Sequence, residues 1–216
     1  MISKKNDAKI SKAVIGRLPR YFRYLRVLLS EEKLRISSGE LAEMMNVTAS
    51  QIRQDLNCFG DFGHQGYGYN VPYLYRQISE LLGVTSGFRA IIIGAGKLGQ
   101  ALSASPVFTK RGVEVVALFD NNDSIIGNSI KGKKILHIDT LEDFCKNNKV
   151  DIAVLTLPAD KTENIVSKVL DCKIKGIWNY TSYDILPEEH PDITVQNVHM
   201  GDSLMMLCFD LHNKEV

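Results

Sequence analysis

The sequence predicts an α/β chain in two parts: a small helical domain closed by a hairpin, then a parallel sheet covered by helices. Three observations carry this expectation. Two short helices with capping signals, separated only by Asn46-Val47, precede a stretch over 60–70 in which glycines alternate with aromatics. A β-branched run, Ile91-Ile92-Ile93, stops at glycine and opens into Gly94-Ala95-Gly96-Lys97-Leu98-Gly99. Beyond it, apolar runs and amphipathic segments alternate to the end of the chain, the pattern of successive β-α units. The expected boundaries are 1–85 for the first domain, 86–199 for the second and 200–216 for a terminal helix.

Charge separates the same two parts. The whole chain carries +1, but residues 1–85 hold 12 Lys/Arg against 8 Asp/Glu, and residues 86–216 hold 14 against 17. Within the first 28 residues, Lys4, Lys5, Lys9, Lys12, Arg17, Arg20, Arg23 and Arg26 face only Asp7. A basic segment on a neutral chain points to an anionic partner for that segment. Cys58, Cys145, Cys172 and Cys208 are scattered without a C-x-x-C pair, which argues against a zinc site or a disulfide framework and for reduced, buried thiols. The basic N-terminus lacks the apolar core of a signal peptide, and no apolar run reaches the roughly 18 residues of a membrane span. A cytoplasmic location is expected.

In the first domain, Val14, Leu18, Phe22, Leu25 and Leu29 fall at helical spacing. Pro19 falls among them and could open a helix at its first turn or kink a longer one; the main helix is expected from about Pro19 to Glu31. Ser37-Ser38-Gly39-Glu40 and Thr48-Ala49-Ser50-Gln51 both have the form of a capping box. The helices they open, joined by a tight turn, read as a helix-turn-helix. On the second, Ala49, Ser50, Gln51, Arg53, Gln54 and Asn57 are expected to face outward. Gln can bond adenine bidentately, and Arg can bond guanine or a phosphate. The hairpin over Gly60–Asn70, in which four glycines alternate with aromatics, would be the wing of a winged helix. A last helix is expected over Val71–Leu82. Candidate DNA-binding residues are Arg17, Ser50, Gln51, Arg53, Gln54, His64, Gln65, Gly66 and Tyr67.

In the second domain, Gly94, Gly96 and Gly99 form G-x-G-x-x-G between a strand and a helix expected over Gln100–Lys110. That is the context in which the motif binds a dinucleotide and defines a Rossmann-type domain. The first glycine permits the turn, the second lets backbone approach the pyrophosphate, and the third lets helix pack on strand. Free N–H groups at the helix start suit phosphates. A second strand, Val113–Phe119, ends at Asp120, placed to accept from the adenosine ribose hydroxyls and to repel a 2′-phosphate. NAD(H) is therefore the expected ligand, held by Gly94, Ala95, Gly96, Lys97, Leu98, Gly99 and Asp120. Further strands are expected over 135–138, 150–157, 176–180 and 193–198, with helices over 141–147, 159–172 and 200–211. The terminal helix, with Leu204, Met205, Leu207, Cys208 and Leu211, is too apolar for a free tail and should pack on this subunit or a partner. The five histidines show no metal spacing, and no catalytic Ser/His/Asp or Tyr-x-x-x-Lys set accompanies the glycine turn, so no enzyme is expected. Two alternatives stay open: a DNA-binding regulator that senses another adenine nucleotide, and a small NAD-dependent oxidoreductase.

The chain resembles the Rex family of redox-sensing transcriptional repressors. The resemblance rests on Val47–Leu56, the glycine wing ending Gly66-Tyr67-Gly68-Tyr69, Gly94–Gly99 and Gly176-Ile177-Trp178-Asn179, and covers nearly the whole chain. It implies a homodimer with a swapped C-terminal helix that binds palindromic operator DNA when NADH is scarce and leaves it when NADH binds. It also implies an inter-domain switch at Arg23, Ser105 and His199. Here Ser105 stands where the family commonly has Tyr, Tyr180-Thr181-Ser182 where a Phe-Ala-Pro-like stretch is usual, and His199 where an Asp pairs with the arginine matching Arg23. Gln54 and His64-Gln65 replace basic residues, which implies a shallower salt dependence of DNA binding.

Overall fold

The computed structural model describes residues 11–57 and 68–213, and the backbone of 63–64; Cys58, Phe59, Gln65, Gly66 and Tyr67 lie outside the described residues. The chain divides into two compact units, Met1–Ser86 and Gly87–Val216.

The first unit opens with α1, Lys12–Ser30, and Pro19 lies inside it. The helix expected from Pro19 therefore begins almost two turns earlier, at an N-cap where Ser11 Oγ accepts from the Val14 N–H at 3.3 Å. An interior proline costs ~3 kcal/mol. Val14 and Leu18, both buried on the N-terminal side of Pro19, supply the offsetting burial, about 1.5–3 kcal/mol for each such side chain. A two-residue strand β1, Arg35–Ile36, follows; it is too short to show a period in the sequence. Helix α2, Ser38–Met45, is closed by the full capping box of Ser37 and Glu40, and Asn46 ends it in the left-handed region at φ 50°. Helix α3 spans Ala49–Asn57, with Thr48 Oγ1 accepting from the Gln51 N–H at 3.1 Å. Strands β2, Gly63–His64, and β3, Gly68–Asn70, pair antiparallel, and β1 joins them in the order β1-β3-β2. Gly68 is required here: its φ is +68°, and a Cβ would lie 2.7 Å from the Ile36 carbonyl oxygen. Asn70 caps α4, Val71–Leu81. One core joins these elements, with Tyr21, Leu25, Leu41, Ile52, Leu56, Leu74 and Ile78 fully buried and Phe22 stacked on Tyr75 at 5.0 Å.

In the second unit, strands β4 (Phe88–Ile93), β5 (Val113–Asp120), β6 (Ser129–Ile130), β7 (Lys133–His137), β8 (Ile152–Leu155), β9 (Gly176–Asn179) and β10 (Thr194–Asn197) form one sheet in the order β10-β9-β8-β4-β5-β7-β6. All neighbours are parallel except the edge hairpin β6–β7, which the sequence reading missed. Alternate residues of β4 feed opposite faces, as a doubly covered sheet requires. Ile91 and Ile93 join Phe119, Leu155 and Val166, while Ile92 joins Leu118, Val154 and Phe108.

Helix α5 is Lys97–Ala104, not Gln100–Lys110. It starts directly in the glycine turn, and Pro106 stops it, since the residue before a proline is driven out of the helical region. Ser105 accordingly is extended, at φ −73° and ψ 143°. Helix α6, Leu141–Asn147, is as expected. Helix α7, Thr162–Asp171, begins three residues later than expected, because Ala159–Lys161 form a 3-10 turn. The last helix, α8, Met200–His212, buries none of its residues in this chain. Cys208 on it is exposed, against the expectation of burial, whereas Cys145 and Cys172 are half-buried. Desolvation first, and then the neighbouring Cys172, push the Cys145 thiol up to about 12.

Candidate nucleotide and nucleic-acid sites

The strand order puts the switch point of the sheet between β4 and β8, where the chain winds away in both directions. Open α/β sheets bind ligands at the carboxyl ends of the strands beside such a point. A cleft of about 560 Å³ opens there, lined by Gly94 and Gly96, by Asp120 at the end of β5, by Ile138 and Thr156, and by Lys161, Asn164 and Lys168.

The glycine turn divides into positions the fold needs and one it does not. Gly94 has φ +100°, and a Cβ there would meet the Thr156 carbonyl oxygen at 2.4 Å. A Cβ on Gly99 would lie 1.9 Å from the Gly94 carbonyl oxygen. These two glycines are fixed by close backbone packing. Gly96 differs: its φ of −70° suits any residue, and a Cβ would meet nothing within 4 Å. The space a side chain would fill opens on the cleft, over the start of α5, where no side chain caps the free N–H groups. A glycine that the protein does not need, beside uncapped helix amides, fits a phosphate brought close to backbone. The residues therefore fit a dinucleotide. Ala95 is buried, Lys97 exposed and Leu98 half-buried at this helix start.

Asp120 also holds the glycine turn, a contact that nothing local in the sequence signals. Its Oδ2 accepts from the Ala95 N–H at 2.6 Å, and Oδ1 from the Asn121 and Asn122 N–H groups at 2.8 and 3.0 Å. An ionised carboxylate has about four acceptor positions, so Oδ2 retains one for a ribose hydroxyl. Thr156 holds the same turn from the other side. Its Oγ1 donates to the Gly94 carbonyl at 2.7 Å and clamps the turn from β8. No local signal marks it, because the contact joins residues 62 apart.

On α3, Ser50, Arg53, Gln54 and Asn57 are exposed, but Ala49 and Gln51 are half-buried, a correction to the expected outward set. Arg53 donates to Ser38 Oγ at 3.1 Å. Ala49 packs against the core, and Gln51 turns toward Asp55. Asp55, one turn further along α3 and fully buried, was not singled out from the sequence. Its carboxylate accepts from Arg17 Nε and Nη2 at 2.7 Å each, from Tyr21 Oη at 2.9 Å and from Gln51 Nε2 at 2.8 Å. Arg17, expected at DNA, is thus tied to α3 by a bidentate pair. Arg20 donates from Nη2 to the Met45 carbonyl, tying α1 to the end of α2.

Desolvation opposes ionisation of Asp55, but the hydrogen bonds from Arg17, Gln51 and Tyr21 outweigh it and hold the carboxyl below its ordinary value of 3.8. Desolvation and the bond to Asp55 together push the Tyr21 hydroxyl upward, so it stays a donor. The sign for stability follows from the depressed carboxyl. Its contribution is complete above the ordinary aspartate value and is lost as pH falls through the lower folded value. The stability difference between the wild type and Asp55→Asn should therefore be larger at pH 7 than at pH 3. Urea unfolding at both values checks this, and an unchanged difference would contradict it.

The three residues expected at the inter-domain switch each have a local partner. Arg23 is exposed with its guanidinium 5.4 Å from the Tyr24 ring centre. Ser105 Oγ accepts from the Val107 N–H at 3.2 Å. His199, at the N-cap of α8, is 2.8 Å from Asp184 Oδ1. His64 has only its backbone described, in β2. Among the described residues no group of three or more His, Cys, Asp or Glu could hold a metal ion, and no helix is long and apolar enough to cross a membrane.

A winged helix joined to a doubly wound parallel-sheet domain with an open glycine turn defines a DNA-binding regulator that carries a nucleotide site. Residues 9–57 match the family described as "Putative DNA-binding protein N-terminus", and residues 85–183 the "CoA binding domain" family. The Redox-sensing transcriptional repressor Rex of Caldicellulosiruptor bescii is 48% identical over 214 residues, covering 99% of this chain and 96% of the relative. That of Clostridium botulinum is 49% identical over 215 residues, covering 100% of both chains. The crystal structure of RSP in complex with β-NAD+ and operator DNA matches with a TM-score of 0.89 at 45% identity, covering 95% of this chain and 94% of RSP. RSP in complex with β-NADH matches with a TM-score of 0.85 at 42% identity, covering 96% of each chain. The chain belongs to the Rex family of redox-sensing transcriptional repressors.

Proposed function

We propose that this protein is a cytoplasmic repressor that binds palindromic operator DNA as a homodimer and leaves it when NADH binds, so that it reports the NADH/NAD+ ratio. The observation that carries this reading is the pairing, on one chain, of a winged helix with a cleft whose Gly96 is open to a ligand. The similarity to RSP, solved with NAD+ and operator DNA and with NADH, supports both ligands. In this reading the amides at the start of α5 bind the pyrophosphate, and Asp120 accepts from the adenosine ribose through its remaining Oδ2 position. Arg53, Ser50 and Gln54 on α3 face the DNA with Gln51 and Arg17 beside them, and the wing of His64, Gln65, Gly66 and Tyr67 meets the flanking backbone. Arg23, Ser105 and His199 pass the signal between the domains. The nicotinamide ring serves here as a redox signal, and the chain acts as a regulator rather than an enzyme.

The test is operator binding measured against NADH, NAD+ and NADPH, on a palindromic duplex selected from random DNA. Operator affinity should fall with NADH and hold with NAD+, and NADPH should be far weaker because its 2′-phosphate meets Asp120. If NADH never changes the affinity, the sensor reading fails. The match of residues 85–183 to the "CoA binding domain" family favours a second reading, in which another adenine nucleotide is the effector. Coenzyme A and ATP in the same titration distinguish it.

A further inference from the structure

Gln51 and Arg17 both touch one buried carboxylate, and the chemistry of that carboxylate constrains them. We propose that Asp55 is a positioning residue for DNA reading: it fixes the side-chain amide of Gln51 in one of its two orientations, so that sequence discrimination by Gln51 depends on Asp55. The inference rests on the reading of α3 as the DNA-recognition helix.

An ionised carboxylate only accepts hydrogen bonds, so Gln51 must turn its Nε2 toward Asp55 Oδ1, at 2.8 Å, and its Oε1 away. The other Asp55 contacts leave it no freedom. Oδ1 also accepts from Arg17 Nη2, and Oδ2 accepts from Arg17 Nε and Tyr21 Oη. Four donors fill the four acceptor positions of a side chain with no exposed surface. Held this way, Gln51 still offers Oε1 and its second N–H, the acceptor–donor pair that the major-groove edge of adenine matches. A flipped amide would place the same two groups in the opposite order. Without Asp55, both orientations are open and the ordering cost falls on DNA binding. Arg17 keeps three of its five N–H groups for a phosphate while its position is set by the same carboxylate.

A purely structural Asp55 would lower stability and bind all DNA less well, whatever residue stands at 51. The discriminating quantity is therefore the ratio of affinities for operator and scrambled duplex at fixed salt. It is measured in the full-length protein for the wild type, Asp55→Asn, Gln51→Ala and the double variant. Gln51→Ala should lower the ratio about 10-fold, the scale of one good bidentate base contact, and Asp55→Asn about 2-fold, the cost of choosing one of two open amide orientations. The double variant should be no worse than Gln51→Ala alone. Multiplying effects, or an unchanged ratio in Asp55→Asn, would overturn the proposal. Should Asp55→Asn fail to fold, hydrogen exchange of the Gln51 side-chain amide in the wild type decides, with its signal identified by its loss in Gln51→Ala. Slow exchange is expected, and exchange as fast as in an unfolded chain refutes the clamp. A wild type that does not discriminate the two duplexes removes the recognition-helix reading itself, and the proposal with it.

Discussion

A Gly96→Asp chain should fold at least as well as the wild type and lose NADH. The position is an N-cap with ordinary extended backbone, and a Cβ there meets no atom within 4 Å, so the fold raises no steric objection. Asp is a better N-cap than Gly, and its charge suits the positive end of α5. The same carboxylate would occupy the space and the amides that the pyrophosphate needs, and would repel its charge. A loss of at least about 100-fold in NADH affinity is expected, roughly 2.7 kcal/mol. Operator binding should persist and no longer respond to NADH. Fluorescence titration of NADH, read together with thermal unfolding, checks both halves. Tight NADH binding by this variant would place the nucleotide elsewhere. Gly99→Ala provides the contrast, because its Cβ would lie 1.9 Å from the Gly94 oxygen and so must disturb the fold itself.

The second large effect concerns α8. Leu204, Leu207 and Leu211 are 60%, 54% and 56% exposed, and Met205, Met206 and Phe209 are more exposed still. A helix apolar on this scale is covered in solution, and the proposed cover is the second subunit. Burying each leucine would contribute about 1.5–3 kcal/mol. Leu204→Asp with Leu207→Asp should convert the proposed dimer to monomer. Each monomer would then hold one half-site alone. Losing the linked second contact should weaken operator binding on the order of 10²–10⁴-fold without changing any residue at the DNA. Light scattering and operator titration of wild type and variant test this. A monomeric wild type, or a variant that binds as tightly as the wild type, would rule it out.

The legible parts of this protein were those whose signal is local. The Ser37–Glu40 capping box works over three residues and formed as its spacing implied. The G-x-G-x-x-G turn and the apolar strands beside it likewise carry their meaning within a few residues, as did the strand end that brings Asp120 to the glycine turn. Local signals also misled where they were incomplete. Pro19 suggested a helix start, but Val14 and Leu18 bury against the core and carry α1 back to Lys12. Periodicity alone puts the start of α5 too late, because it treats the glycine turn as separate from its helix, whereas Gly96 is its N-cap.

The sequence by itself determined the two folds and the glycine turn, since periodicity, capping and backbone freedom at glycine are properties of neighbouring residues. Only the tertiary structure decided which polar groups meet. Asp55 gathers Arg17 and Tyr21 from 38 and 34 residues away, and Thr156 reaches Gly94 across 62. Those contacts depend on how helices and strands pack, and burial then forces each polar atom to find a partner, which no local pattern encodes.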